Sequence, residues 1–219
     1  MEGHLLACRK FLLFARDRSI EVRFDIPKRL EKPLLFFVLL YRRIRYGYPF
    51  RRIPLTQGKY AIVDPGDYDR LRKYKWHAQK SVYTFYAVHS LTNGKNAPRK
   101  NLQMHNLVID VPPGMYCDHI NHNGLDNRKA NLRPASRTQN VCHRRKFSGR
   151  TYDGLKKPSR SKYKGVDWVA EVKRWRARIR VNGKRISLGL FENEIDAAKA
   201  YDRAAKKYHG DYAGLNFPA

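Results

Sequence analysis

The sequence is poor in acidic residues, with 19 Asp and Glu against 46 Lys and Arg in 219 residues, a formal net charge of +27. Its isoelectric point lies near 10.3. Enzymes acting on small acidic substrates rarely need such an imbalance, which instead favours polyanions, nucleic acid first and an anionic membrane surface second. Cysteine is also scarce: Cys8, Cys117 and Cys142 are an odd number without a CxxC pair. That excludes a disulfide framework and a Cys-rich zinc module and fits a reduced intracellular compartment. Long apolar runs are missing too. The longest covers residues 34–41, well short of the roughly 20 that a membrane span needs. The run Phe11-Leu12-Leu13-Phe14-Ala15 is too short for a signal-peptide core and lacks a small-residue cleavage site, so secretion is not expected. What is present is enough apolar material for packed cores, 42% hydrophobic and 12% aromatic, which excludes a disordered basic tail or a collagen-like fibre.

Composition divides the chain into four stretches. Residues 1–53 form a basic N-terminal extension with Arg42, Arg43, Arg45, Arg51 and Arg52, punctuated by Pro27, Pro33 and Pro49; no chemistry is assigned to it. Residues 54–146 begin with short β-prone runs at 60–63, 83–88 and 102–108, with Asn93-Gly94 as the expected turn between the last two. An asparagine-rich loop at 121–131 follows, then a helix expected over about 137–145 with Ser136 as its N-cap. Residues 147–160 are a basic Ser, Gly, Pro and Lys-rich linker with the composition of a flexible tether. In the last stretch, 161–219, Trp175, Ala177, Ile179 and Val181 alternate with Arg174, Arg176, Arg178 and Arg180. A period of two puts the four arginines on one strand face. Asn182-Gly183 supplies a type I′ turn, which sets Arg180 opposite Arg185, Arg178 opposite Ser187 and Ile179 opposite Ile186. Asn193 is the expected cap of a final helix in which Ile195, Ala198, Tyr201, Ala205 and Tyr208 recur at helical spacing, with Gly210 after its end.

The informative chemistry is Asp118-His119 at the start of the loop, Asn131-Leu132-Arg133 at its end, and Thr138-Gln139-Asn140 in the expected helix. Any one of these is commonly a solvated turn; the joint pattern is specific. It resembles HNH endonucleases of the ββα-metal class, in particular the phage-type homing enzymes. The resemblance implies that Asp118 and Asn140 hold one divalent cation, Mg²⁺ or Mn²⁺, and that His119 is the general base. Asn131 is the second letter of the motif, bonding either across the loop or to the second ring nitrogen of the histidine. Arg128 and Arg133 are candidate phosphate clamps, and His105 matches a histidine common in the family. The chemistry agrees with the residue types. Phosphodiester hydrolysis needs a base near neutral pKa, which imidazole supplies, and a carboxylate with an amide suits a hard cation. Asp118 and His119 serve one site only if the chain bends there, since neighbours on a continuing strand face opposite ways. A zinc site of Cys117, Cys142, His122 and His143 is disfavoured by a spacing unlike Cys-His modules.

Tyr163-Lys164-Gly165-Val166, Leu188-Gly189-Leu190-Phe191, Ala197-Ala198-Lys199-Ala200-Tyr201-Asp202 and Leu215-Asn216-Phe217-Pro218 resemble the plant Apetala and ethylene-response-factor DNA-binding domain. That resemblance implies a three-stranded antiparallel sheet packed on one helix, with its exposed face in the major groove. By position, Lys164, Trp168, Arg174, Arg176, Arg178, Arg180 and Arg185 would meet DNA. Asp167 stands where the plant domains carry a contacting arginine, Arg178 where they carry an acid, and Ser187 where they carry tryptophan, so the plant target does not transfer. The face lacks the aromatic platform of single-strand RNA binders.

The expectation is therefore an α+β protein: a ββα-metal HNH nuclease core at 54–146 and a sheet-based reader at 161–219. It would act on double-stranded DNA inside a cell, in a prokaryotic or phage-like setting, with no membrane partner. The competing expectation is a non-enzymatic sequence-specific DNA-binding regulator that retains the HNH fold.

Overall fold

The computed structural model describes residues 27–91, 100–146 and 161–218, which fall into two compact units parting at Arg51 and Arg52. The described part of the first unit is dominated by α1 (Lys28–Tyr46), where the sequence showed only an apolar run. Gly47 ends it at φ 81°, its N–H bonded to Arg43 O; a left-handed residue at this point is what glycine accommodates without strain.

β1 (Arg51–Pro54) begins at the boundary and, with β2 (Tyr60–Val63), makes a two-stranded sheet that opens the second unit, followed by the short α2 (Tyr68–Leu71). Next comes a three-stranded antiparallel sheet of β3 (His77–Lys80), β4 (Phe85–Leu91) and β5 (Lys100–Gln103) in that order. The expected turn at Asn93-Gly94 lies outside the described residues. The strand expected at 102–108 stops at Gln103. Met104 is fully buried and donates its N–H to Ala87 O at 3.0 Å, and the chain then coils into α3 (His105–Val108). His105 therefore sits on a helical turn and not on a strand. β3 had no signature in sequence because His-Ala-Gln-Lys has little β propensity, and its pairing with β4 defines it.

β6 (Tyr116–His119) and β7 (Leu132–Ala135) form an antiparallel pair with Asp118 opposite Arg133 and His119 opposite Leu132. The 3-10 turn Lys129–Asn131 leads into β7, and α4 (Arg137–His143) follows. The expected cap of α4 is present: Ser136 Oγ accepts from Gln139 N at 3.2 Å while Gln139 Oε1 accepts from Ser136 N at 2.8 Å, the reciprocal arrangement that satisfies two donors at a helix start. Ile53, Ala61, Val63, Leu71, Trp76, Ala87, Met104, Val108 and Leu132 form the core beneath these elements.

β8 (Val166–Val169), β9 (Arg174–Val181) and β10 (Lys184–Phe191) make the last sheet, with β9 central. The expected turn and register are observed. Asn182 and Gly183 have φ of 48° and 79°, and Arg180 faces Arg185, Ile179 faces Ile186 and Arg178 faces Ser187. A register shift between Ser187 and Gly189 turns Leu188 and Phe191 onto the core. α5 (Glu194–His209), capped by Asn193 Oδ1 on Ile195 N at 2.8 Å, covers the apolar face through Ala197, Ala198, Ala200, Tyr201, Ala204 and Ala205. Ile195 and Tyr208, expected on that stripe, lie exposed at its ends. The buried Asp202 accepts from the N–H groups of Asn216 and Phe217, anchoring the chain after the 3-10 turn Gly210–Tyr212.

Candidate active site and nucleic-acid interface

The chain bends immediately after β6. Ile120 N donates to Asn131 O and His122 N to His119 O, both at 2.9 Å. Asp118 and His119 consequently line one cleft of about 460 Å³, which Tyr86, His122, Asn140 and His143 also line. The loop from Ile120 to Arg128 is pressed against two strands. Ile62 N bonds to Leu125 O at 2.8 Å and Asn127 N to Ile62 O at 2.7 Å. Gly124 N bonds to Thr84 Oγ1 at 3.0 Å. A Cβ on Gly124 would stand 2.6 Å from Phe85 O and from the Tyr86 ring, so only glycine allows this approach.

Asp118 is buried, and each of its oxygens has a partner. His143 Nδ1 donates to Oδ1 at 2.9 Å; a carboxylate only accepts, so that nitrogen carries the proton. Arg133 approaches Oδ2 through Nε and Nη2, each at 2.9 Å. Burial pushes the Asp118 carboxyl up, but the His143 bond and charge and the Arg133 pair outweigh it and hold it below the usual carboxylate range. His119 is also shifted below its ordinary value, in its case by burial, against the opposing pull of the Asn127 side chain and the Asp118 and Asp126 carboxylates. The imidazole is therefore neutral at neutral pH. Its Nε2 is buried with no hydrogen-bond partner among the described residues, an arrangement that calls for an unseen ligand or water. His105 lies edge-on to His119 at 5.1 Å between ring centres. Burial and then the neighbouring His119 push His105 down to about 3. His122 stacks on His143 at 4.0 Å and is pushed down to about 4, by burial first and then by His143 and Arg145.

The donor set suits a hard cation. Asp118 stays ionised, its Oδ1 has spent one of two lone pairs on His143, and Asn140 lines the same cleft. One carboxylate and one amide fit an ion that keeps waters and takes phosphate oxygens as further ligands. Burial pushes the Cys117 thiol up to about 12 and raises Cys142 as well. Among the described residues no group of three or more His, Cys, Asp or Glu side chains is arranged to hold a metal.

Two expectations around the cleft change, those for Arg128 and Arg133, and for Asn131 the first of its two open alternatives is observed. Asn131 bonds across the loop: its Oδ1 accepts from Asn121 N at 2.9 Å and its Nδ2 donates to Asp126 O at 2.8 Å. The amide beside His119 is Asn127 instead. Arg128 forks onto the buried Asp126 at 2.8 and 2.6 Å, and Arg133 is held by Asp118. Neither guanidinium is presented as a phosphate clamp, because a buried carboxylate needs its counter-charge.

Over 166 residues the chain is 30% identical to an uncharacterized HNH endonuclease of Acanthamoeba polyphaga mimivirus, an alignment that covers 73% of this chain and 76% of the viral one. The chain belongs to the HNH endonuclease family. Residues 161–211 match the AP2 domain family. Over 57 residues the chain is 44% identical to an AP2-like ethylene-responsive transcription factor of Arabidopsis thaliana, covering 26% of this chain and 12% of the plant protein. Over 59 residues it is 48% identical to an AP2/ERF and B3 domain-containing protein of rice, covering 26% and 16%.

In the AP2 domain of this HNH family member, the sheet residues divide into two sets. Arg180 and Arg185 are exposed and directly opposed. Arg176 and Arg178 both reach Asp167, at 2.7 and 2.9 Å, and Arg174 reaches the exposed Glu192 at 3.3 Å. Two positions depart from expectation. Trp168 pairs with Trp175 across β8 and β9, on the face shared by Val166 and Ala177, and packs against it edge-on at 5.1 Å. It is on the core side of the sheet, not the arginine side. Lys164 Nζ donates to Cys142 O and to Arg144 O and is lowered to about 8 by burial; it is not part of the exposed face. The contact of His143 with Asp118 was also missed, although His143 follows Asn140 by three positions, which places both on one side of α4. Tyr86 and Asn127 carried no sequence signal, since long-range packing brings them to the histidine.

Proposed function

We propose that this protein is a divalent-metal-dependent DNA endonuclease of the HNH homing type that hydrolyses a phosphodiester with His119 as general base, while the AP2 sheet binds the major groove. The carrying observation is the cleft lined by Asp118, Asn140 and His119, with Asp118 ionised and His119 neutral and the buried Nε2 of His119 without a partner among the described residues. The hairpin of β6 and β7 followed by α4 corresponds, in this reading, to the ββα element of the family. The endonuclease name of the viral relative and the DNA-reading role of AP2 domains point the same way.

Hydrolysis requires a water in line with the leaving oxygen and a base to take its proton. His119 Nε2 accepts that proton as the water oxygen bonds to phosphorus; the bond from phosphorus to the leaving sugar oxygen breaks, and that oxygen is protonated from solvent. The carboxylates of Asp118 and Asp126 stabilise the resulting imidazolium, and Tyr86 and His105 fix the ring between them. When bound by Asp118 and Asn140, a divalent cation supplies charge neutralisation at the phosphate and leaving oxygen. In the sheet, Arg180 and Arg185 oppose like charges across the hairpin, an arrangement that a phosphate between them would relieve. Arg176 and Arg178, oriented by Asp167, are the candidates for base edges, where a held guanidinium meets guanine in two bonds.

A second reading, the DNA-binding regulator without cleavage, draws on Arg133, which already compensates the Asp118 charge. A supercoiled-plasmid pool incubated with Mg²⁺ or Mn²⁺ against EDTA separates the two. Metal-dependent nicked or linear product is expected. Tight duplex binding without product, on plasmids shown to carry a bound site, would favour the regulator.

A further inference from the structure

The AP2 domain touches the nuclease region at the elements that build the cleft. α4 ends with carbonyls that its own turn leaves open, as every helix does. Lys164, from the AP2 domain, donates to two of these carbonyl oxygens, Cys142 O and Arg144 O, and Gly214 N donates to Cys142 O at 3.2 Å. The approach is close enough that a Cβ on Gly214 would meet His143 O at 2.6 Å and Cys142 O at 2.8 Å. In return Lys146 Nζ donates to Ser161 O and Tyr163 O, each at 2.8 Å. A second set of contacts falls on β7. Arg133 Nη1 donates to Asp211 O at 2.9 Å, its guanidinium lies 3.9 Å over the Tyr212 ring, and Tyr212 Oη donates to Pro134 O at 2.7 Å. Arg133 is thus held on one side by the AP2 domain and on the other by Asp118.

We propose that the AP2 domain is a structural wall of the nuclease cleft as well as a DNA reader. Lys164 finishes α4, which carries Asn140 and His143, and Tyr212 with Asp211 fixes Arg133, a positioning residue that sets the Asp118 carboxylate. A reader joined only by a tether would change affinity; a reader that completes the cleft also changes the rate on bound DNA. The rate arm of this proposal rests on the nuclease reading, and the docking arm does not.

The test uses full-length Lys164→Met and Tyr212→Ala proteins with three readouts: duplex affinity in EDTA, the single-turnover cleavage rate at saturating DNA with Mg²⁺, and amide exchange at Asn140 and Arg144, whose N–H groups bond at the start and the end of α4. Affinity is expected to stay within about threefold, while the saturated rate falls about 10- to 100-fold, the scale of a small misplacement of reacting groups, and exchange at α4 accelerates. Unchanged exchange together with an unchanged saturated rate in both variants overturns the proposal, as does a rate loss that saturating DNA restores. A wild type that never cuts defeats the nuclease reading alone. In that case exchange still decides, and retained protection of α4 in both variants overturns the wall.

Discussion

Arginine does opposite work in the two halves of the second unit. Around β6 and β7, Arg128 and Arg133 are largely buried, with side chains 12% and 15% exposed, and are paired with carboxylates more deeply buried still. On β9 and β10, Arg180 and Arg185 are exposed and face one another. The first pair compensates charge that folding has taken out of water; the second accumulates charge that folding leaves in it. Burial of the carboxylate partner therefore says which arginines hold the fold and which await an anion, and net charge alone does not.

That contrast is sharpest at Arg128. Arg128→Ala removes the counter-charge of Asp126, which is 2% exposed and keeps only neutral donors such as Asn121 Nδ2, and breaking one side of such a pair costs about 3–5 kcal/mol. Urea unfolding should show that loss, whereas Arg180→Ala should unfold at the parental midpoint. In DNA binding the order reverses: Arg180→Ala with Arg185→Ala is expected to weaken binding to all duplexes alike and to lower the slope of affinity against salt by about 2, one per phosphate contact. Equal salt slopes for the double variant and the parent would remove these residues from the interface.

Acid distinguishes the halves as well. His105, His119 and His122 are held neutral by burial, at about 3, below its ordinary value, and about 4 respectively. Below about pH 6.5 the unfolded histidines bind protons that the folded ones refuse, so stability falls as pH drops through that range. In the AP2 half β8, β9 and β10 contain no histidine, and the lowered histidine of that half, His209, stands at the far end of α5, away from β9 in sequence. Amides of β6 and α4 should lose exchange protection between pH 7 and 5 before those of β9 do; the reverse order would contradict the assignment. The smallest effect is expected at Asp167, whose pairs with Arg176 and Arg178 are about one-third exposed and worth about 0–1 kcal/mol to folding. Asp167→Ala should leave stability nearly unchanged and alter which duplex is preferred, measurable by competition among randomised sites.

Local signals made some of this legible in advance. The alternation along β9, the Asn182-Gly183 turn and the Ser136 cap are encoded by residues within a few positions of one another, and the structure follows them. The grouping of Asp118, His119 and Asn140 was legible as a motif. What the sequence did not reveal depends on distant partners. Asp118 meets His143 and Arg133, Lys164 meets the end of α4, and Trp168 turns inward because Trp175 stands opposite it. The α1 helix and the β3 strand escaped for a different reason, since neither has a clean period in its apolar residues.

The most direct test of the division between cutter and reader compares His119→Ala with the Arg180→Ala/Arg185→Ala double variant, measuring duplex affinity in EDTA and single-turnover cleavage at saturating DNA with Mg²⁺. His119→Ala should bind as the parent does and cut about 10²- to 10⁴-fold more slowly, the usual contribution of a general base. The double variant should bind more weakly and, once saturated, cut at the parental rate. A His119→Ala protein that cuts at the parental rate would contradict the account.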